Sequence, residues 1–204
     1  MTLGIVPSNL VLFPNVQIQL HILEPRFQEL VLECMERGLE FGVNLFEGGN
    51  LRSIGCSAVI AEANKTSTDA SMLTVVEGRS RYTILDSMGS ANHFTMSQVK
   101  LLPDVKTTTD PGLLNECVAM YNQVVSTVFG YSDSFDIESL GARSAAYMMA
   151  PKCGLSNQQK QSLLEMDDEN DRLLTLRNLL TETLPSIRKA ETVRRLVMSD
   201  GYLT

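Results

Sequence analysis

The most informative stretch of the chain is residues 12–30, LFPNVQIQLHILEPRFQEL, in which a strand pattern passes directly into the start of a helix. Apolar residues at 16, 18, 20 and 22 alternate with polar ones, which is typical of a half-buried strand. Pro25 suits the first position of a helix, where its missing N–H is not needed, and Gly38 can end that helix in a left-handed turn. We therefore predict a strand over 16–22 and a helix beginning at 24–25. Its apolar stripe consists of Phe27, Leu30, Val31, Cys34 and Met35, spaced to plug one mouth of a barrel.

The same stretch places three ionisable side chains close together, at His21, Glu24 and Arg26. One interpretation is a catalytic cluster, since histidine is the usual proton shuttle near neutral pH. The other is a strand-to-helix joint, in which Glu24 and Arg26 lie near the helix N-terminus and Arg26 reaches across to carboxylates of the barrel. We favour the joint and expect His21 to be a surface or rim residue.

Around this stretch, throughout the first half of the chain, apolar and polar residues alternate with period 2 in short runs separated by turn residues. After the first strand, these runs are 41–45, 53–63, 71–78, 81–86 and 93–102, with the glycine turn EGGN at 47–50 and the polar tip NKTSTDA at 64–70. The pattern predicts about six mostly antiparallel strands. A meander of this kind usually closes on itself as a small barrel, which hides its edges.

After the segment 102–112 the hydrophobic period changes to 3.6, which indicates helices. Asp110 and Pro111 start one that ends at Gly130, and 137–150 is a second, stopped by Pro151. Ser156 and Gln159 form a capping box for a third, Asp168 caps a fourth, and a fifth runs from Pro185 to about Ser199. The chain is thus predicted to be α+β, with a β subdomain over 1–104 and an α-helical bundle over 112–204.

Composition and charge exclude several classes of protein. The chain is 44% apolar and 20% charged, as is typical of a globular protein. Its net charge of −7 is spread evenly, with 7 basic against 11 acidic residues in 1–104, so we expect no nucleic-acid partner. No apolar run is long enough to span a bilayer. The four cysteines are isolated and no secretory signal is written at the N-terminus, so we expect reduced thiols and a cytoplasmic protein without a membrane partner.

Motifs for common chemistries are missing. The chain contains neither a phosphate-binding G-x-x-x-x-G-K-[ST] loop nor a G-x-G-x-x-G fingerprint. Neither G-x-S-x-G nor H-E-x-x-H occurs, and the second histidine, His93, is placed like the first on a polar strand face. The acidic run DDEND at 167–171 lacks the spacing of a calcium loop and is explained as negative charge at a helix N-terminus. We predict no catalytic residue, no cofactor and no metal site.

The segment EGRSRY at 77–82 admits two interpretations. With period 2, Arg79 and Arg81 share one face, so they can form a clamp for an anion or a peptide carboxylate. Alternatively, Gly78 makes a bulge that bends the barrel, and one arginine pairs with a carboxylate such as Glu24. We favour the bulge.

Taken together, residues 10–43, the run GCSAVI at 55–60 and VVEGRSRYTI at 75–84 resemble the N-terminal, substrate-binding domain of Lon proteases. The likeness extends more weakly to 155–176, and its most specific element is L-F-P, a strand, then H-I-x-E-P-R-F. The residues that carry the motif, which we expect to be structural, are Pro14, His21, Glu24, Pro25, Arg26, Phe27, Gly42, Glu77, Gly78 and Arg81.

The resemblance implies a PUA-like β pseudobarrel followed by an α-helical bundle. In Lon this region precedes an ATPase module and a serine–lysine protease and helps to recognise substrate polypeptides; motifs for those modules are missing from the 204 residues, so the chain is expected to stand alone. Residues 16–19, VQIQ, are more polar than the family pattern at this place.

Three functions compete on this basis. The first is a non-enzymatic module that binds polypeptide segments or a partner protein. The second is an adaptor or regulator that docks on a protease or another assembly. The third is a hydrolase that uses a cleft carboxylate or His21. The absence of nucleotide, triad and metal motifs favours the first, and the sequence identifies neither the contacting residues nor the oligomeric state.

Overall fold

A computed structural model of the chain describes residues 1–65, 72–91, 94–130 and 135–199. His93 and most of the tip predicted at 64–70 lie outside these ranges. The chain forms two compact units. The first consists of Met1–Asp104 and Asn157–Asp167, and the second of Val105–Ser156 and Asp168–Thr204.

Within the described residues the first unit contains seven strands, where six were predicted. They are Thr2–Ser8, Gln17–Ile22, Phe41–Glu47, Asn50–Leu51, Ile54–Lys65, Met72–Ala91 and Phe94–Leu101, labelled β1 to β7. The runs predicted at 71–78 and 81–86 are one continuous strand, β6. Strands β1 and β4 were not predicted, because β1 contains Gly4 and Pro7 and β4 has only two residues.

Strand β6 organises the sheet. It pairs with β5 along one edge, while its other edge pairs first with β2 and then with β7. Strand β1 continues the sheet by pairing with β7 over Thr2–Gly4, and then turns to β3, with which it runs parallel over Ile5–Ser8. Because β1 exchanges one neighbour for the other, the sheet is curled but not a closed barrel, and the expectation of closure is wrong. The α+β class, with a pseudobarrel-like sheet, is confirmed.

The five α-helices of the described residues are Pro25–Arg37, Pro111–Phe129, Ala145–Met149, Asn157–Glu165 and Glu169–Ser199, labelled α1 to α5. Helix α1 follows the prediction closely. Glu24 is extended, Pro25 is the first helical residue, and Gly38 adopts φ 62°. The backbone N–H of Leu39 then donates to the Cys34 carbonyl at 2.9 Å, which closes the last turn.

The apolar stripe of α1 is part of the main core of the first unit. Phe27, Leu30, Val31 and Cys34 are buried there among side chains of β2, β3, β5 and β6. The fifth member of the predicted stripe, Met35, is exposed instead. Helix α1 is therefore held to the sheet by burial of its apolar face, which contributes about 1.5–3 kcal/mol for each large side chain.

Helix α4 belongs to the first unit, although the sequence assigned it to the bundle. Leu163 and Leu164 are buried, and the side-chain amide of Gln161 donates to the Ile54 carbonyl at 3.0 Å. At its other end, the Asn157 side chain donates to the Asn9 carbonyl at 2.7 Å. The predicted start of the helix after Ser156 agrees with the structure.

The second unit contains α2, α3, α5 and two short 3₁₀ turns, Glu138–Leu140 and Ala150–Lys152. Helix α2 begins and ends as predicted, with Asp110 Oδ1 accepting the Gly112 N–H at 2.8 Å and Gly130 at φ 72°. The continuous helix predicted at 137–150 is wrong. Gly141, at φ 59°, interrupts it, and α3 starts anew with its own cap, Ser144 Oγ, which accepts from the Tyr147 N–H.

Helix α5 is one element of 31 residues where two were predicted, because it continues through Pro185. Asp168 caps it as predicted: its Oδ1 accepts the Asn170 N–H at 2.8 Å. A hydrogen bond from the Thr107 hydroxyl is the main cause that holds the pKa of Asp168 below its usual value. None of the helices in the described part of the chain is a candidate membrane span.

Candidate functional site

The two arginines of EGRSRY lie on opposite sides of the sheet, contrary to the period-2 expectation. Cys56 pairs with Arg81 and Ala58 with Gly78, so that β6 has one residue more than β5 between these two pairs. This β-bulge turns Arg81 inward and leaves Arg79 outside. Arg79 forms an ion pair with Glu77 at 2.9 Å, and Arg81 is only 2% exposed. The bulge was predicted; its effect on the two side chains was not.

Arg81 is the anchor of the first unit. Its Nη2 lies 2.8 Å from Asp104 Oδ1 and 2.9 Å from Asp167 Oδ1, and its Nη1 donates to the Leu164 carbonyl at 3.0 Å. The predicted partner, Glu24, is not among these contacts. Asp104 and Asp167 are the residues at which the two segments of the first unit end. Arg81 therefore binds the ends of both segments to β6. Its N–H donors bond to the protein itself and are not available to an anion.

The strand-to-helix joint is held by a local ion pair. Arg26 Nη2 lies 2.6 Å from Glu24 Oε2, and the guanidinium lies over the ring of Phe27, 4.6 Å from its centre. The expected reach of Arg26 to carboxylates of the barrel is wrong. Both charged groups are about half exposed, so the pair orients the joint and adds little stability.

Several motif residues serve close packing of the backbone. Pro14 forms an isolated β-bridge with Gly78, and the Gly78 N–H donates to the Val16 carbonyl at 3.0 Å. A Cβ on Gly78 would lie 2.1 Å from the Phe13 carbonyl oxygen. Gly42 plays the same part in β3, where a Cβ would lie 2.1 Å from the hydroxyl of the buried Tyr82. That hydroxyl donates to Asn44.

A small cleft of about 250 Å³ lies beside the motif. It is lined by the end of β1 and by the second half of β2, and it includes His21, Glu24 and Phe27. His21 is exposed on β2, opposite Leu73 of β6. Glu24 is held by Arg26, so the cleft contains a histidine and an ion-paired carboxylate, with Leu10 and Leu23 as exposed apolar neighbours.

A larger groove of about 450 Å³ lies between the start of β1 and the C-terminal half of α1. Its apolar floor consists of Leu3, Leu30 and Cys34, all buried, with the half-buried Met96 beside them. Its rim combines apolar and charged residues, listed from the chain start: Met1, Thr2, Glu33, Arg37, Leu39 and Glu40. Gly4 lies close to Leu30 here: a Cβ at this position would lie 2.5 Å from a methyl of Leu30, so a larger residue would require that side chain to shift. We name this feature the α1 groove.

We expect the Cys34 thiol, on the floor of the α1 groove, to be unreactive. Burial, together with the charge of Glu33, raises the pKa of Cys34 to about 11, so the thiol is neutral near pH 7. All four cysteines are buried and free. Among the described residues no group of His, Cys, Asp and Glu is arranged to hold a metal ion. What the α1 groove offers a ligand is apolar surface with charges at its rim.

The α1 groove was not predicted from the sequence. Its residues come from 1–4, 30–40 and 96, and the first of these segments was not recognised as a strand. A signal was present, since Leu3 and Ile5 alternate in the TLGIVPS run of β1. The partners of Arg81 were missed because Asp104 and Asp167 lie 23 and 86 positions away in the chain.

Comparison with known proteins identifies the class. Residues 2–182 match the family model of the ATP-dependent protease La (LON) substrate-binding domain, and the chain belongs to this family. The domain is a substrate-recognition module and not the catalytic part of that protease. No curated protein gives a significant match.

Two solved structures share the fold. The Lon N-terminal domain protein from Xanthomonas campestris superposes with a TM-score of 0.65 and 24% identity, over 86% of this chain and 96% of that one. The N-terminal domain of the Mycobacterium avium complex Lon protease gives a TM-score of 0.67 and 16% identity, over 89% and 98% of the two chains. At these identities the likeness establishes the fold alone.

Proposed function

We propose that the chain is a non-enzymatic module that binds polypeptide segments, and that the α1 groove is where it binds them. Membership of this family supports recognition of polypeptides. The α1 groove is the observation that supports the location of the binding site. It combines a buried apolar floor with an exposed apolar rim residue, Leu39, which is 49% exposed. An exposed apolar surface beside a concave floor is the kind of feature that protein partners cover.

The expected binding is weak and tolerant of sequence. Burying one large apolar side chain of a ligand contributes about 1.5–3 kcal/mol. A dissociation constant of about 1 μM requires about 8 kcal/mol, so a single anchor is not enough and further contacts along the ligand backbone are needed. This suits a module that meets many unfolded segments rather than one folded partner.

A site-specific photo-crosslinker tests the proposal. A photoreactive phenylalanine analogue placed at Leu39 should capture a permanently unfolded test polypeptide, such as a reduced and alkylated protein. The same analogue at Leu23, 68% exposed beside the smaller cleft, is the matched control. Equal capture at both positions, or none at Leu39, would remove the α1 groove as the site.

Crosslinking at Leu39 in a cell lysate distinguishes a substrate-binding module from the competing function, an adaptor. Many different products crosslinked at Leu39 would support a substrate-binding module, whereas one stoichiometric product would indicate an adaptor docked on a single assembly. Within the same proposal we place the protein in the cytoplasm, which four buried, free cysteines support. The net charge of −7 supports partners other than nucleic acid.

A further inference from the structure

We draw no further inference here: the strongest candidate, the edge of β2 that faces away from β6 beside the cleft of about 250 Å³, carries nothing because nothing in the described residues shows what covers it.

Discussion

Arg81 Nη2 lies 2.9 Å from Asp167 Oδ1, a contact that joins two residues 86 positions apart in the chain. The same guanidinium binds Asp104, so one buried side chain holds both segments of the first unit where each of them ends. The two carboxylates are about half exposed, whereas the arginine is 2% exposed. On folding, Arg81 therefore loses nearly all of its contact with water, whereas the two carboxylates keep much of theirs. The hydrogen bonds of Arg81 compensate for the free-energy cost of burying its charge.

Replacing this arginine should destabilise the first unit. Arg81→Met keeps an apolar stem but removes the donors to Asp104, Asp167 and the Leu164 carbonyl. We expect a loss of about 3 kcal/mol in the free energy of unfolding, the lower end for a broken buried pair, because the remaining carboxylates reach water. Urea unfolding followed by circular dichroism measures it.

Arg26→Ala is the matched control for Arg81→Met. Arg26 also forms an ion pair, but both partners are exposed, so its removal should cost less than about 1 kcal/mol. Similar losses in the two variants would show that burial does not determine how much these arginines contribute to the free energy of unfolding.

Gly78→Ala should be strongly destabilising for a steric reason. The added methyl would lie 2.1 Å from the Phe13 carbonyl oxygen and 3.1 Å from Cys56 Sγ. Because the closest atom belongs to the backbone, relief requires Pro14 and its neighbours to move, and we expect a cost of about 2–3 kcal/mol. A thermal melt within error of the parent chain would refute the close approach.

The stability of the first unit should fall at alkaline pH through Cys34. Its thiol has a pKa of about 11 in the folded chain and an ordinary value of 9.0 when unfolded. The contribution of the neutral thiol is therefore complete below pH 9.0 and is lost as the pH rises through 11. Urea midpoints across this range should fall more for the parent chain than for Cys34→Ala; parallel curves would contradict the assignment.

Helix α1 and the alternating strands were predictable because their signals are local. Pro25 and Gly38 determine where α1 begins and ends through backbone geometry that needs no partner. Helix α5 shows the limit of the same reasoning. Pro185 was expected to separate two helices, yet it is exposed, so the Thr181 carbonyl that it leaves unbonded can reach water. Burial of Leu176, Leu180 and Leu184 keeps the helix continuous up to this point.

The bulge at Arg79 and Ser80 shows why the site could not be predicted in full. A period-2 count assumes an unbroken strand, and one additional residue reverses the side on which every later side chain lies. Glycine at 78 indicated a bulge, but the position of the inserted residue could not be predicted from the sequence. The α1 groove could not be predicted for a different reason, because it forms only where β1 separates from β3.

Binding of an unfolded polypeptide to Leu39→Ser and Leu23→Ser is the sharpest test of the α1 groove as the binding site. Both residues are exposed leucines of the first unit, so each substitution should change the stability by less than about 0.5 kcal/mol. With a reduced, alkylated test protein in a fluorescence titration, we expect Leu39→Ser to weaken binding about tenfold, roughly the loss of one anchored side chain. Leu23→Ser should bind as the parent chain does. Undiminished binding by Leu39→Ser would show that the α1 groove is not where polypeptides bind.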